Sequence, residues 1–565
     1  MFGKRLVRLR GLLWLLAGAA CSKSVDVSIG PCTAAGDSVD LAVNEYASLD
    51  PATASECTVF PAAALGAEYL IVPQLATGNP GNSAAFLLTG DTILPAPAAS
   101  PLSAQSGGGL GDAARFHAFL RLADERRDWG LTPEVAPATQ PLPRRSPTSG
   151  PPSVNDLRTF QVCATLSCSR FDRVGARAKV VKTKVAIFVD TLAPPNGLDS
   201  AAFDSIANTF DQRLYAIDTA AFGRESDIDT NTVVLVLMTN TVNKLVAASV
   251  CQNSGFVAGF FFGVDLDPDF RNDARSNKAE IFYSIVADPT GTLSCAHTAA
   301  EVLAFVPVTF IHEFQHMISF NQHVLVRGGG GEVLWLNEGF SHYAEELGGR
   351  SYEVTPDAQI VDCTVGTTPC RFYSGDLLNA YAYLDSTGNH FLEPTAGIGT
   401  LAERGAAWLF VRYLVDRYAA GSTLANWNTL TRALVGTRNT GAGNITAVAG
   451  DPFTTIVSRW ALANFLTDNP TVPPELNYDS WGLHAVYASL NGQRPNQFPK
   501  PYPLEPTASA GRDVNLSGTL RAGSGIYHRA TQGAGDRGFT LRFTTPNGGM
   551  INASLVPRLN VIRLQ

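Results

Sequence analysis

The sequence predicts a multidomain α+β protein. A mixed-sheet α/β lobe is joined to a helical lobe, and small β-sandwich-like modules flank the two. Three observations carry this expectation. Apolar residues alternate along short segments at both ends of the chain, the period of a strand with one face buried. The middle holds continuous apolar runs such as "TVVLVLMTN", which suit strands covered on both faces. Beyond residue 300 apolar residues recur at helical spacing, as in "AERGAAWLFVRYLVDRYA". With 565 residues, 45% of them hydrophobic, the chain can build several cores. Net charge is -8 and neither Lys nor Arg runs in blocks, which speaks against a nucleic-acid partner.

The first segment, residues 1–21, has the form of a secretory signal. Lys4, Arg5, Arg8 and Arg10 precede "GLLWLLAGAA" and then Cys21, a basic region followed by a short apolar run ending in small residues. That run is too short to span a bilayer. Two outcomes stay open. Cys21 could carry a lipid anchor, which would be the only membrane contact, although Gly18 stands where a lipobox usually has Leu. Alternatively, cleavage falls within Ala17–Ala20. Either way the chain is expected to be exported, secreted or held at the outer membrane or cell surface. Without Cys21 eight cysteines remain, an even set suited to disulfides in an oxidising compartment. Sequence neighbours pair as Cys32–Cys57, Cys163–Cys168, Cys251–Cys295 and Cys363–Cys370.

Residues 30–90 read as a β-sandwich-like module, with "SVDLAVNEY", "AEYLIVPQL" and "AAFLLTGD" as alternating strands. Residues 91–165 are rich in Pro, Gly and Ser and read as a linker or a propeptide. One amphipathic helix is expected there in "ARFHAFLRLADERRDW", and Arg144-Arg145 offers a nick site. Residues 169–500 form the main domain. "KTKVAIFVD" is its first strand, followed by a helix capped by Asp199 with Phe203, Ile206, Phe210 and Leu214 on one face. "GFVAGFFFGV" and "AEIFYSIVAD" are further strands. Residues 505–565 return to alternation in "DVNLSGTL", "GFTLRFTT", "INASLV" and "LNVIRL" and form a C-terminal β-rich module.

The chemistry concentrates in "TFIHEFQHMISF". Pro307 suits a first-turn position, so a helix is expected from there to about Asn321. His312 and His316 then share one face and can bind one zinc ion. Glu313, beside them, is the candidate general base. A charged residue among Phe310, Ile311, Phe314, Met317 and Ile318 is costly without such a role. With nine His in 565 residues, H-E-x-x-H arises by chance in roughly one chain in a hundred. The third ligand has to be found elsewhere. The H-x-x-G-x-x-H extension of metzincins fails, because Ser319 and Gln322 occupy its Gly and last His positions. Downstream, Gly328 to Gly331 allow the chain to turn back, and "WLNEGFSHYAEEL" reads as a second helix presenting Glu338. Two His and one Glu leave the fourth zinc position open, as a catalytic ion requires.

H-E-x-x-H followed by "WLNEG" resembles the gluzincin metallopeptidases. "HEFQHMI" with "WLNEGFSHYAEE" is most similar to the hyicolysin family of secreted bacterial neutral zinc peptidases. The resemblance is specific over Phe310–Leu347, looser from 180 to 490, and does not reach the terminal β-modules. It implies a zincin-like fold, His312, His316 and Glu338 as ligands to one zinc ion, Glu313 as general base, and a protein or peptide substrate. It also implies an edge strand that holds peptide backbone, for which "NKAEIFY", Asn277 to Tyr283, is the candidate. A Tyr or His from the helical half would steady the tetrahedral intermediate; Tyr373, Tyr381, Tyr383, His390 and Tyr413 are candidates. His342 could compete as a ligand, although a helix-surface role is the simpler expectation. Glu345 could support a ligand His or be a solvated charge. "DLDPD" is similar to a calcium loop, but Phe270 and Ser276 stand where an EF-hand needs Gly and Glu; it reads as an acidic turn, with calcium unsupported. The expected activity is that of a zinc endopeptidase. The alternatives are a zinc aminopeptidase, whose G-x-M-E-N motif is not found, and a catalytically silent surface binding lipoprotein. Nothing in the residues fixes an oligomeric state.

Overall fold

A computed structural model describes residues 37–51, 57–92, 111–131, 150–352, 363, 368–395 and 400–565. The expected signal segment with Cys21, the Arg144-Arg145 pair and Cys32 lie outside them. Within them the chain is a multidomain α+β protein with three sheets and a large helical portion. No helix among the described residues is long and apolar enough to cross a membrane.

The central sheet has six strands: β1 (Leu157–Cys163), β2 (Phe171–Val181), β3 (Val185–Asp190), β4 (Val234–Met238), β5 (Gly259–Phe261) and β6 (Ile281–Ser284). Their order is β5-β6-β4-β3-β2-β1. β3, β4 and β6 run parallel, while β5, β2 and β1 pair antiparallel. β4 is buried along its whole length, as its unbroken apolar run predicts. The sheet begins at Leu157, earlier than the expected start near 169. The expected edge strand is corrected as well. Residues 281–284 lie in the interior, between β5 and β4, and the strand at that edge of the sheet is the short, buried Gly259–Phe261.

Helix α1 spans Asp112–Arg126. Helix α2, Ser200–Thr209, is capped by Asp199, whose side chain accepts from the Ala202 amide, and packs Phe203 and Ile206 inward. Helix α3, Ala299–Phe320, starts eight residues before Pro307, which lies inside it. A reciprocal capping box between Thr298 and Glu301 sets that start. Helices α4 (Leu334–Arg350), α5 (Thr368–Asp385) and α6 (Leu401–Tyr418) form the helical lobe with shorter helices between Leu424 and Gln493.

The two terminal β-rich segments do not form separate sheets. Asn515–Arg521 pairs with Ser83–Thr89, Phe539–Thr544 with Cys57–Phe60, and Pro557–Arg563 lies between Ala67–Leu75 and Tyr46–Leu49. Two five-stranded sheets result, each drawing on both ends of the chain. They share one apolar core, with Phe60, Phe86, Leu541 and Phe543 from one sheet and Tyr69, Ile71, Leu559 and Val561 from the other. Neither segment has enough strands to cover its apolar face alone, so they cover each other. Two local expectations also fail. "SVDLAVNEY" is mostly irregular, with a turn at Val43 and Asn44 where Asn44 has φ 67°, and Ala553–Leu555 is a 3-10 turn capped by Asn552 rather than a strand. Disulfides join Cys163–Cys168, Cys251–Cys295 and Cys363–Cys370; Cys57 is also disulfide-bonded.

A buried polar knot fixes α4 against its neighbours. The Glu346 carboxylate accepts from Trp408 Nε1 at 3.0 Å, Trp481 Nε1 at 2.9 Å, Arg350 Nε at 2.6 Å and Arg412 Nη1 at 3.2 Å. Arg412 also binds Asp416 at 2.8 Å, with neither side chain exposed. Removing one member of such a group strands a buried charge. Arg412→Ala should therefore cost about 3–5 kcal/mol, measured as the shift in urea denaturation. A loss below about 1 kcal/mol, the size of an exposed ion pair, would show that the knot does not stabilise the fold.

Candidate metal centre

The spacing of α3 places His312 and His316 one turn apart, with their Nε2 atoms 3.1 Å from each other. Each ring is oriented from behind. His312 Nδ1 lies 2.7 Å from Glu345 Oε1, and His316 Nδ1 lies 2.9 Å from Asn337 Oδ1. Both partners are acceptors, so each Nδ1 carries a proton and each Nε2 presents a lone pair. Burial holds the His316 pKa well below its ordinary value, which keeps that ring neutral.

Glu338 faces the two imidazoles from α4. Its oxygens lie 3.7 Å from His312 Nε2 and 3.9 Å from His316 Nε2. Burial alone would raise this carboxyl, but Arg404, with Nη1 at 3.7 Å, helps hold it well below the usual range. Both carboxylate oxygens are buried with no hydrogen-bond partner. Two imidazole lone pairs and two anionic oxygens without hydrogen bonds thus converge in a buried space. Such a donor set is costly unless a cation joins it, and its chemistry fits a divalent metal. The motif glycine, Gly339, lets α4 and α6 pack closely. A Cβ at Gly339 would lie 2.9 Å from Val411 Cγ2 and 3.0 Å from Ala407 O, both on α6.

Glu313 follows His312 on α3 and is 2% exposed. Its Oε2 accepts from the Phe261 amide of edge strand β5 at 2.8 Å. Burial raises its pKa. The structure thus brings Glu313, His312, His316 and Glu338 into one cluster.

Two neighbours differ from the simplest expectation. His342 is 7% exposed rather than on the surface. Its Nδ1 lies 2.9 Å from Asp376 and 3.1 Å from Glu345. Burial opposes its charge, yet those carboxylates outweigh burial and push its pKa up to about 10. His312, His342 and Glu345 also have metal-like spacing, but there one oxygen of Glu345 is shared between the Nδ1 atoms of His312 and His342. Glu345 is buried and supports a ligand-type histidine; it is not a solvated charge.

The five candidates for steadying an intermediate are engaged elsewhere. Tyr373 packs edge-on against Trp481, Tyr381 accepts from the Lys500 amide, and Tyr383 meets Ser524. His390 meets Ser386, and Tyr413 donates to the Glu475 carbonyl. Asn337, Asp376 and Arg404 were not anticipated. Asn337 stands inside the "WLNEG" motif, so its position was visible although its bond to His316 was not. The acidic turn is also spoken for. Asp265 accepts from Tyr283 and the Asn277 amide, and Asp267 forms a two-point pair with Arg127.

No family model matches the chain. Over 215 residues it is 24% identical to the neutral metalloprotease ShpI of Staphylococcus hyicus, an alignment that takes in 38% of this chain and 45% of that protein. The chain therefore spans under half the length of this relative. The distant likeness to a metalloprotease agrees in kind with the His and Glu donors gathered between α3 and α4.

Proposed function

We propose that the protein is an exported zinc-dependent endopeptidase of the gluzincin type, with His312, His316 and Glu338 as ligands and Glu313 as general base. The observation that carries this reading is the pair of Glu338 oxygens, without hydrogen bonds, facing two imidazole lone pairs, with the buried Glu313 carboxyl next along α3. The neutral metalloprotease likeness supports it from a separate direction. Zinc in such a site supplies a Lewis acid for the scissile carbonyl and acidifies water. Glu313 takes a proton from the attacking water and delivers it to the leaving amine, work suited to a carboxyl whose pKa burial raises. Glu345 and Asn337 hold the two imidazoles in the tautomer that leaves Nε2 free.

The test is hydrolysis of casein or gelatin by the purified protein with metal content determined alongside. About one zinc per chain is expected. Activity should vanish on chelation and return with zinc. Hydrolysis that survives complete metal removal would overturn the proposal.

A further inference from the structure

A cavity of about 620 Å³ opens over the C-terminal ends of β3 and β4, where the chain leaves the sheet for α2. Its floor is one row of the sheet. Arg177, Val189 and Met238 pair side by side across β2, β3 and β4, so their side chains share a face. Phe203 of α2, Val286 and the loop 191–199 form the walls. Val189, Met238, Phe203 and Val286 are all buried residues, which makes the floor and inner wall apolar. The volume suits a small organic molecule. None of the lining residues belongs to the metal cluster. Glu313 is bonded to β5, which lies four strands from β2, about 19 Å at the usual strand spacing.

One wall of the cavity is cationic. Arg177 and Lys179 both line it from β2. The pairing of β2 with β3 passes from Ala178 to Val180 while β3 advances by one residue, so Lys179 is the extra residue of a β-bulge. Bulges re-aim side chains and recur beside binding sites. Arg177 Nη1 donates to the Asn155 carbonyl at 2.9 Å, which anchors one corner of the guanidinium. Among the described residues neither cation is paired with a carboxylate. The two acids in the lining already serve the fold. Asp190 accepts from Thr239 Oγ1 and from the Leu192 amide, each at 2.8 Å, and Asp199 accepts from the Ala202 amide at 2.8 Å to cap α2. Two unpaired cations beside an apolar floor match a ligand with one anionic end and an apolar body. The two acids nearby favour a single negative charge over a multiply charged anion.

We infer that this cavity binds an organic carboxylate with an apolar body, the carboxylate held by Arg177 and Lys179 and the body resting on Val189, Met238 and Phe203. A free aliphatic acid offers this chemistry, and so does the C-terminus of a peptide that ends in an apolar residue. The inference does not depend on the peptidase reading. Isothermal titration calorimetry on the full chain tests it, with octanoate standing for the free acid and N-acetyl-leucine for the peptide terminus. Each is run beside its uncharged amide, octanamide or N-acetyl-leucinamide. At least one carboxylate should bind, and its amide should bind about tenfold or more weakly, because the charge-assisted hydrogen bonds are lost. Arg177→Gln/Lys179→Gln should weaken the carboxylate by a similar factor. That variant should melt where wild type does, since Arg177 is only half-buried and Lys179 is exposed. Whichever carboxylate binds more tightly supports the inference and identifies the source, a peptide terminus or a free acid. No binding of either carboxylate at millimolar concentration would overturn it. Equal binding of acid and amide would overturn it too, as would carboxylate binding that the double variant leaves untouched.

Discussion

Glu313→Gln should lower peptide hydrolysis by a factor of about 10² to 10⁴ while leaving bound metal unchanged. Glu313 Oε2 accepts from the Phe261 amide of β5. The isosteric amide can keep that hydrogen bond through its own carbonyl oxygen, so the fold has little reason to respond. It cannot take up a proton from water. Burial raises the pKa of the Glu313 carboxyl, which favours its taking up a proton and returning it. The measurement is kcat/KM on a peptide beside zinc content and melting temperature for both proteins. Activity within tenfold of wild type, with metal retained, would remove Glu313 from the proton-transfer role. Loss of metal with loss of activity would instead place Glu313 in the ligand set.

Much of this site was legible in the sequence because its information is local. His312, Glu313 and His316 fall within five residues, and helical geometry alone converts that spacing into a shared face. Glu338 was reachable because "WLNEG" follows closely and the glycines between announce a reversal. What the sequence hid is non-local. Nothing in "AERGAAW" says that Arg404 will stand beside Glu338. Nor does the composition of 91–165 reveal that a helix inside it meets β5. The edge strand was misplaced because apolar runs show burial but not order within a sheet, and "AEIFYSIVAD" looks no more central than "GFVAGFFFGV". The terminal modules failed to separate for the same reason. Alternation identifies strands such as Ser83–Thr89 and Asn515–Arg521 but not that they pair across more than 400 residues. The start of α3 was misread because Pro307 was weighted as a first-turn residue, whereas Thr298 and Glu301 set the boundary. His342 and Glu345 were expected on a surface because their charge outweighed their position; the lobe packed against α4 buries them and sets Asp376 against His342.

Glu338→Gln separates a ligand from a merely structural carboxylate. In the metal-free protein this side chain is a buried anion with no hydrogen bond to either oxygen and Arg404 at 3.7 Å. Replacing it with a neutral isostere relieves a desolvation cost and weakens one ion pair, two effects that oppose each other. Because attraction to Arg404 and the imidazoles outweighs burial and holds the carboxyl ionised, stability without metal should fall, by at most the about 3–5 kcal/mol that a broken buried pair costs. With metal the result is different. Losing a charged ligand should cost more than the roughly 10- to 100-fold in affinity that follows loss of a supporting group such as Glu345. Binding stabilises the folded chain in proportion to the logarithm of metal concentration over Kd, about 2.7 kcal/mol at 100 Kd. Zinc titration followed by thermal melting should raise the wild-type midpoint and leave that of Glu338→Gln nearly flat at the same concentrations. A variant that gains as much from zinc as wild type would exclude Glu338 as a ligand. A variant already unstable without zinc would make its pairing with Arg404 the larger role.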